Sequence, residues 1–350
     1  MIKINNNLIF SNNQRPLIIA EISGNHSGNK KKFLKLIKEA FLNGADLVKI
    51  QTYEPSDITI NNKKSHHFKI HNGIWKNKYL WDLYKKACTP YSWHKDAFKI
   101  AKNFNKILFS SPFSIKAVDF LESFNVKIYK IASFEITDFP LIKRIAKTNK
   151  PIILSTGMAS QKEIYEAINL IKRSGSSEFA LLKCTSSYPA DPKNINLKTI
   201  IDMRKKFKCE VGLSDHTLGI GVAVASIPFQ TTIIEKHFTL NRSNGGVDSK
   251  FSIEPNEMVK LIYEVNSAWE AIGKIKYGYS ESEKQSLNHR KSIYITKDMK
   301  KGEIIKEDNI SFLRPCPENG IPPYEVDKII GKNIKISMQS GQHLKWTDLE

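Results

Sequence analysis

Cysteine is scarce: only Cys88, Cys184, Cys209 and Cys316 occur in 350 residues, and no two form a CxxC pair. That excludes a disulfide scaffold and a multi-cysteine zinc site, and it fits a reducing compartment. A long apolar run is also missing. The N-terminus MIKINNNLIF has no signal-peptide core, and the most apolar stretch, residues 220–234, is interrupted by Pro228, Gln230, Thr231 and Thr232. A soluble cytoplasmic protein with no membrane partner is expected. Acidic residues are outnumbered, 35 Asp+Glu against 54 Lys+Arg, for a net charge of +19. The excess is mostly lysine spread along the chain, with no arginine-rich stripe and no aromatic-interleaved RNP-type motif, so no nucleic-acid partner is expected. It reads as a lysine-rich solvated surface, whose field also favours a small anionic substrate. No GxGxxG follows the first apolar run, which argues against a dinucleotide-binding sheet.

What is present is a repeat of two periods. Eight short, β-branched runs predict strands at residues 17–22, 45–51, 107–111, 126–133, 152–156, 179–185, 210–214 and 232–238. Segments of helical period lie between them at 30–42, 93–104, 115–123, 140–148, 161–174, 196–207 and 218–227, and a last one follows at 255–272. Near-continuous apolar strands, each followed by a helix, predict parallel strands covered by helices. Eight such units over about 250 residues predict a (β/α)8 TIM barrel, an α/β fold. The long connection from Thr52 to Pro90 reads as a functional lid. The repeat ends near Gly273. We therefore expect a barrel at 1–273, a polar linker at 274–288 and a small β-rich domain at 289–350 with strands at 292–296 and 334–336.

Barrel enzymes carry their chemistry at the C-terminal ends of the strands. Here all eight ends are polar or ionisable. Lys49, Lys130 and Lys183, with the hydroxyls of Ser111, Ser133, Ser186 and Ser214, predict a pocket for a multiply charged anion. Gln51 shares a face with Lys49. His216 and His237 end adjacent strands and could together hold one divalent cation, with water and substrate oxygens as the other ligands. Glu21 and Glu135 are candidate acid–base groups or anchors for substrate hydroxyls. The sixth strand leads to Tyr188, and the turn Asn244–Val247 after the eighth delivers Asp248.

The segments IAEISGNHSG (19–28), GADLVKIQTY (44–53), YKIASFE (129–135), STGMAS (155–160), GLSDHTLG (212–219) and IEKHFTL (234–240) resemble the sialic acid synthase family. The tail from Arg290 to Pro323 resembles the antifreeze-like (SAF) domain that ends those enzymes. LWDLYKKACTP (80–90), KIASFEITDFPLI (130–142) and GGVDSKFSIEP (245–255) are similar to the pseudaminic acid synthase branch.

The resemblance implies a metal-dependent transferase of nonulosonic acid biosynthesis. It would condense phosphoenolpyruvate with 2,4-diacetamido-2,4,6-trideoxy-L-altropyranose and water, releasing pseudaminic acid and phosphate. It implies phosphoenolpyruvate on Lys49, Ser111, Lys130, Ser133, Ser186 and Ser214, the sugar on Glu21, Gln51, Tyr188 and Asp248, and Mn²⁺, Mg²⁺ or Co²⁺ on His216 and His237. Ser186 and Ser111 stand where the neuraminate branch usually has Asn and Thr. The resemblance also implies a domain-swapped homodimer in which Arg314 of the tail reaches the partner's barrel to hold an N-acetyl group. The alternatives are an N-acetylneuraminate or legionaminate synthase and, from another class, a catalytically retired basic binding protein. The last would be expected to lack Lys49, His216 or His237, and all three are present.

Overall fold

A computed structural model describes residues 2–5, 8–11, 13–176 and 178–350. Two compact units divide the chain, Met1–Gly273 and Lys274–Glu350. The first opens with an antiparallel hairpin of β1 (Ile2–Asn5) and β2 (Leu8–Phe10). Eight parallel strands follow: β3 (Leu17–Glu21), β4 (Leu47–Thr52), β5 (Ile107–Pro112), β6 (Tyr129–Ile131), β7 (Ile152–Ser155), β8 (Phe179–Cys184), β9 (Glu210–Asp215) and β10 (Ile233–His237). They close in sequence order, β10 pairing with β3, into a barrel. The helices are α1 (Lys30–Leu42), α2 (Pro55–Ile58), α3 (Leu80–Ala87), α4 (Tyr91–Asn103), α5 (Ile115–Glu122), α6 (Phe139–Ala146), α7 (Gln161–Arg173), α8 (Thr199–Phe207), α9 (Gly221–Ala225) and α10 (Pro255–Ala271). The expected TIM barrel is therefore the observed fold, and all eight predicted strands form. The fourth is shorter than predicted at both ends, starting at Tyr129 and stopping at Ile131 before a 3₁₀ turn at Ser133–Glu135.

Strand alternation sets what faces where. On β4, Val48 and Ile50 point out to pack with Leu36 and Ile37 of α1, while Leu47 points in. Ile19, Leu47, Phe109, Ile128, Ile153, Leu182 and Ile233 fill the barrel interior, joined by Ile2 and Phe10 of the hairpin. Space there is tight at β9. A Cβ on Gly212 would lie 2.4 Å from the Ile233 carbonyl oxygen and 2.7 Å from Leu182, so only glycine fits. One step further along the strands the inward positions become charged or hydroxylic, except on β8, where Cys184 follows Leu182.

Outside the barrel, Lys236 of β10 and Asp215 of β9 form a fully buried ion pair at 2.8 Å, and Lys236 also donates to the Thr217 carbonyl at 2.9 Å. Removing one partner leaves the other as an unpaired buried charge, which costs about 3–5 kcal/mol. Asp215→Ala should therefore lower the urea midpoint by that equivalent. A midpoint within experimental error of the native one would show that the pair does not brace the strands.

The second unit pairs β11 (Ser292–Ile295) antiparallel with β12 (Ile310–Leu313) over its own core of Ile293, Ile295, Ile305, Ile321 and Leu344. The strand expected at 334–336 is absent. Ile334 makes only an isolated bridge to Leu349, and the partner of β11 is Ile310–Leu313. All four cysteines are free. Among the described residues no helix is long and apolar enough to cross a membrane.

Candidate active site

A cavity of about 440 Å³ opens at the C-terminal ends of the strands. Its floor is a chain of buried charges. Lys49 Nζ lies 3.2 Å from Glu21 Oε2 and 3.0 Å from Glu235 Oε2. Lys130 Nζ donates to Ser155 Oγ at 2.6 Å and lies 3.9 Å from Glu235 Oε1, which also accepts from Ser214 Oγ at 3.1 Å. Gln51 Nε2 donates to Glu21 Oε1 at 3.1 Å. These contacts follow from register, since Glu21 pairs with Lys49 and His237 with Glu21 across neighbouring strands.

Burial and charge divide the acids. Burial works to raise Glu235, but Lys130 and Lys49 overcome it and hold that carboxyl well below the usual range. Glu21 is pushed up by burial against the pull of Lys49. Glu135, in the turn after β6, is raised to about 7, chiefly by burial. Burial lowers Lys130 to about 8 despite Glu235. Burial disfavours the ammonium of Lys49 too, but its two carboxylates keep it charged and raise its pKa. Near neutral pH the floor thus combines cations with carboxyls able to give or take a proton.

His216 and His237 meet above this floor with ring centroids 5.2 Å apart. His216 Nδ1 lies 3.0 Å from the Thr185 carbonyl oxygen, a bond that places the proton on Nδ1 and leaves Nε2 for a ligand. His237 Nδ1 is buried with no hydrogen-bond partner among the described residues, its nearest acid being Asp248 Oδ2 at 3.8 Å. Burial, His216 and the lysines hold His237 well below its ordinary pKa, in the neutral form that ligates metals. Among the described residues no group of three or more His, Cys, Asp and Glu converges to hold a cation. Two imidazoles alone do not make a closed structural site, and a cation held between them would keep open positions for water and substrate.

Asp248 is fixed by the Ser23 hydroxyl and by its own N–H on Asn25 Oδ1 at 3.2 Å. Tyr188 stands over His216 at 4.5 Å between ring centroids. Ser133 Oγ, accepting from the Gly157 N–H at 3.1 Å, also lines the cavity.

Four further candidates are placed as follows. Ser111 is buried on β5, two residues past the inward Phe109 and opposite Gln51, and Ser186 lies 3.7 Å from Sγ of Cys184, which lines the cavity. Arg314 is exposed on the second unit, next after β12. Lys183 corrects the three-lysine reading. It is in phase with the outward Leu181, so it opens onto a separate cavity of about 350 Å³ beside α7 and α8, with Nζ on the Cys184 carbonyl at 3.1 Å. Glu235, Ser155 and Cys184 line the main cavity and were not singled out from the sequence. The signal for Glu235 was its phase: two residues before His237, it must face inward with it.

The NeuB family profile matches residues 36–277 and the SAF domain profile residues 290–350. The chain is 39% identical over 339 residues to a pseudaminic acid synthase of Campylobacter jejuni, covering 97% of this chain and 98% of that protein. It is 38% identical over 322 residues to an N,N'-diacetyllegionaminic acid synthase of the same species, covering 91% and 96%. The crystal structure of an N-acetylneuraminic acid synthetase from Leptospira borgpetersenii superposes with a TM-score of 0.72 at 29% identity, over 83% of this chain and 96% of that one.

Proposed function

Because the chain belongs to the NeuB family and ends in a SAF domain, we propose that it condenses phosphoenolpyruvate with the open-chain form of 2,4-diacetamido-2,4,6-trideoxy-L-altropyranose and water, giving pseudaminic acid and phosphate. The observation that carries this reading is one cavity in which the cations of Lys49 and Lys130 sit beneath the imidazoles of His216 and His237. Relatives named pseudaminic acid synthase align over nearly the whole chain.

Lys49, Lys130, Ser133 and Ser214 bind the phosphate and carboxylate of phosphoenolpyruvate and aim its C3 at the sugar aldehyde. His216 and His237 hold a divalent cation (Mn²⁺, Mg²⁺ or Co²⁺), which when bound supplies Lewis-acid polarisation of that aldehyde. C3 bonds to C1 of the sugar, and the former carbonyl oxygen takes up a proton from a carboxyl such as Glu21. Water then adds to C2 and gives its proton to Glu135, whose pKa of about 7 suits that transfer at neutral pH. Breaking of the C2–O bond to phosphate expels phosphate as the C2 hydroxyl gives up its proton, which returns to the carboxylate of Glu21, and leaves the keto acid. The sugar is placed by Gln51, Tyr188 and Asp248.

The test is phosphate release by the purified protein with phosphoenolpyruvate and each of three sugars: the altrose derivative, the legionaminate precursor and N-acetylmannosamine. Turnover fastest with the first supports the reading. Turnover fastest with the second favours legionaminate synthesis, which the 38% identical relative keeps as the alternative. Phosphate release from none would contradict both.

A pH dependence follows from Lys130. Its ammonium binds the anion, and its pKa near 8 means that the cation is lost as pH rises through that value. Affinity for phosphoenolpyruvate should hold below pH 8 and fall up to about tenfold per unit above it, the slope of one proton. Lys130→Met should bind weakly at every pH and show no such break in calorimetry. A break unchanged in Lys130→Met would assign it to another group.

The tail's role is proposed as intermolecular, with Arg314 serving the barrel of a second chain in a domain-swapped homodimer. Mixing His237→Ala with Arg314→Ala protein under subunit exchange should restore activity, because one site of each mixed dimer carries neither lesion. A mixture as inactive as its parents would place Arg314 in its own chain's site.

A further inference from the structure

The connection from β4 to α4 builds one wall of the cavity, and its chemistry differs from that of the floor. Lys69 and Tyr79 pair antiparallel, and Ile70 and Lys78 close a hairpin, with Ile70 N–H on the Lys78 carbonyl and Asn77 N–H on the Ile70 carbonyl, both at 2.8 Å. The chain then enters α3, which turns Leu80, Leu83, Tyr84 and Ala87 onto the cavity. That is the i, i+3, i+4, i+7 face of one helix. Ile70 and Trp75 of the hairpin extend the same wall. Trp75 is pinned: its Nε1–H donates to the Val247 carbonyl at 2.8 Å, and its ring lies 5.4 Å from that of Tyr188.

At Ile70, Trp75, Leu80 and Leu83 this wall has almost nothing to offer a hydroxyl; the polar atom on the α3 face is the phenol of Tyr84. The aliphatic side chains carry no polar atom, and the only polar hydrogen on the Trp75 side chain is already used. A hydroxyl pressed against it would lose its water without replacement, whereas a methyl group would lose nothing. The groups that can pair with substrate, among them the strand-end charges, Gln51, Asp248 and the hydroxyls of Ser133, Tyr53, Tyr84 and Tyr188, are other side chains than these four. A cavity divided in this way fits a ligand divided in the same way, with oxygen-rich reacting atoms at one end and methyl groups at the other.

We propose that the hairpin and α3 are the specificity element for the sugar. Ile70, Trp75, Leu80 and Leu83 receive the methyl groups of a deoxygenated, N-acylated hexose, and they discriminate against a counterpart carrying a 6-hydroxyl. This inference rests on the proposed function and deepens it by naming the residues that read the sugar's apolar end.

The experiment compares kcat/KM, from phosphate release with phosphoenolpyruvate, for 2,4-diacetamido-2,4,6-trideoxy-L-altrose and its 6-hydroxy counterpart. The native protein should prefer the 6-deoxy sugar by about 10–100-fold, the range in which an apolar pocket rejects an added hydroxyl. Leu80→Gln and Ile70→Asn should each bring the ratio toward unity, by loss on the deoxy sugar and gain on the hydroxy sugar. A weakened fold would scale both sugars alike and leave the ratio unmoved. Equal use of the two sugars by the native protein overturns the inference while leaving the synthase reading intact, and needs no variant. A preference that persists in both active variants overturns the assignment to these residues. No turnover with any acylamino sugar overturns the proposed function, and this inference with it.

Discussion

His237→Ala protein is expected to lose about 10³-fold in kcat/KM, because several kcal/mol of Lewis-acid stabilisation leaves with the ligand and each 1.4 kcal/mol is a factor of ten. The native enzyme should likewise fall silent in EDTA and recover with Mn²⁺, Mg²⁺ or Co²⁺. His237 ends β10 with Nδ1 buried and unpartnered among the described residues, so truncating it breaks no hydrogen bond of the apoprotein at that atom. The fold should therefore survive, and metal content measured by mass spectrometry should drop with the activity. His216→Ala should behave similarly, with the added loss of the bond to the Thr185 carbonyl. Full turnover in rigorously metal-free His237→Ala protein would remove the cation from the account.

Lys49→Met is the second large effect, and it should be double. Lys49 stands between Glu21 and Glu235, so removing it leaves two carboxyls in a buried site without their shared cation. An uncompensated buried charge costs about 3–5 kcal/mol, which should appear as a lower urea midpoint. Phosphoenolpyruvate also loses a charge-assisted hydrogen bond, worth about 1.5–3 kcal/mol, or roughly 10–100-fold in affinity. The two losses can be separated. Adding Glu235→Gln to Lys49→Met removes the better-ionised carboxylate, so it should restore much of the stability and none of the affinity. Unchanged calorimetric affinity in Lys49→Met would take this lysine out of the anion pocket.

Much of this site was legible because strand phase is a strict rule. Once Leu47 is placed in the barrel interior, Lys49 and Gln51 must follow it, and the same step carries Ile233 to Glu235 and His237. Where phase was not applied, the reading went wrong. Lys183 was grouped with the other lysines by its place near a strand end, yet it alternates with the inward Leu182 and Cys184. Ser111 follows the phase of the inward Phe109 and lies opposite Gln51, whereas Ser186 stands past the end of β8, where no strand phase applies.

The hairpin of β1 and β2 was not anticipated, because three- and four-residue strands around an asparagine run carry no period to detect. In the tail, turns and prolines dominate, and the partner of β11 was set by tertiary pairing that short apolar triplets do not announce. The apolar wall was not read from the sequence. Residues 52–90 were read as one long connection, so α3 itself was missed, and that its 80, 83, 84, 87 face looks into the site depends on the hairpin just before it and on the bond of Trp75 to Val247, far away in sequence.

The account turns on carbon–carbon bond formation coupled to phosphate loss from C2. It is tested most directly with phosphoenolpyruvate carrying ¹⁸O in the bridging position. The native protein, given this compound, the altrose derivative and Mn²⁺, should release one phosphate per nine-carbon keto acid, with the label in the phosphate. Label retained in the keto acid, or phosphate released without a nine-carbon product, would contradict it.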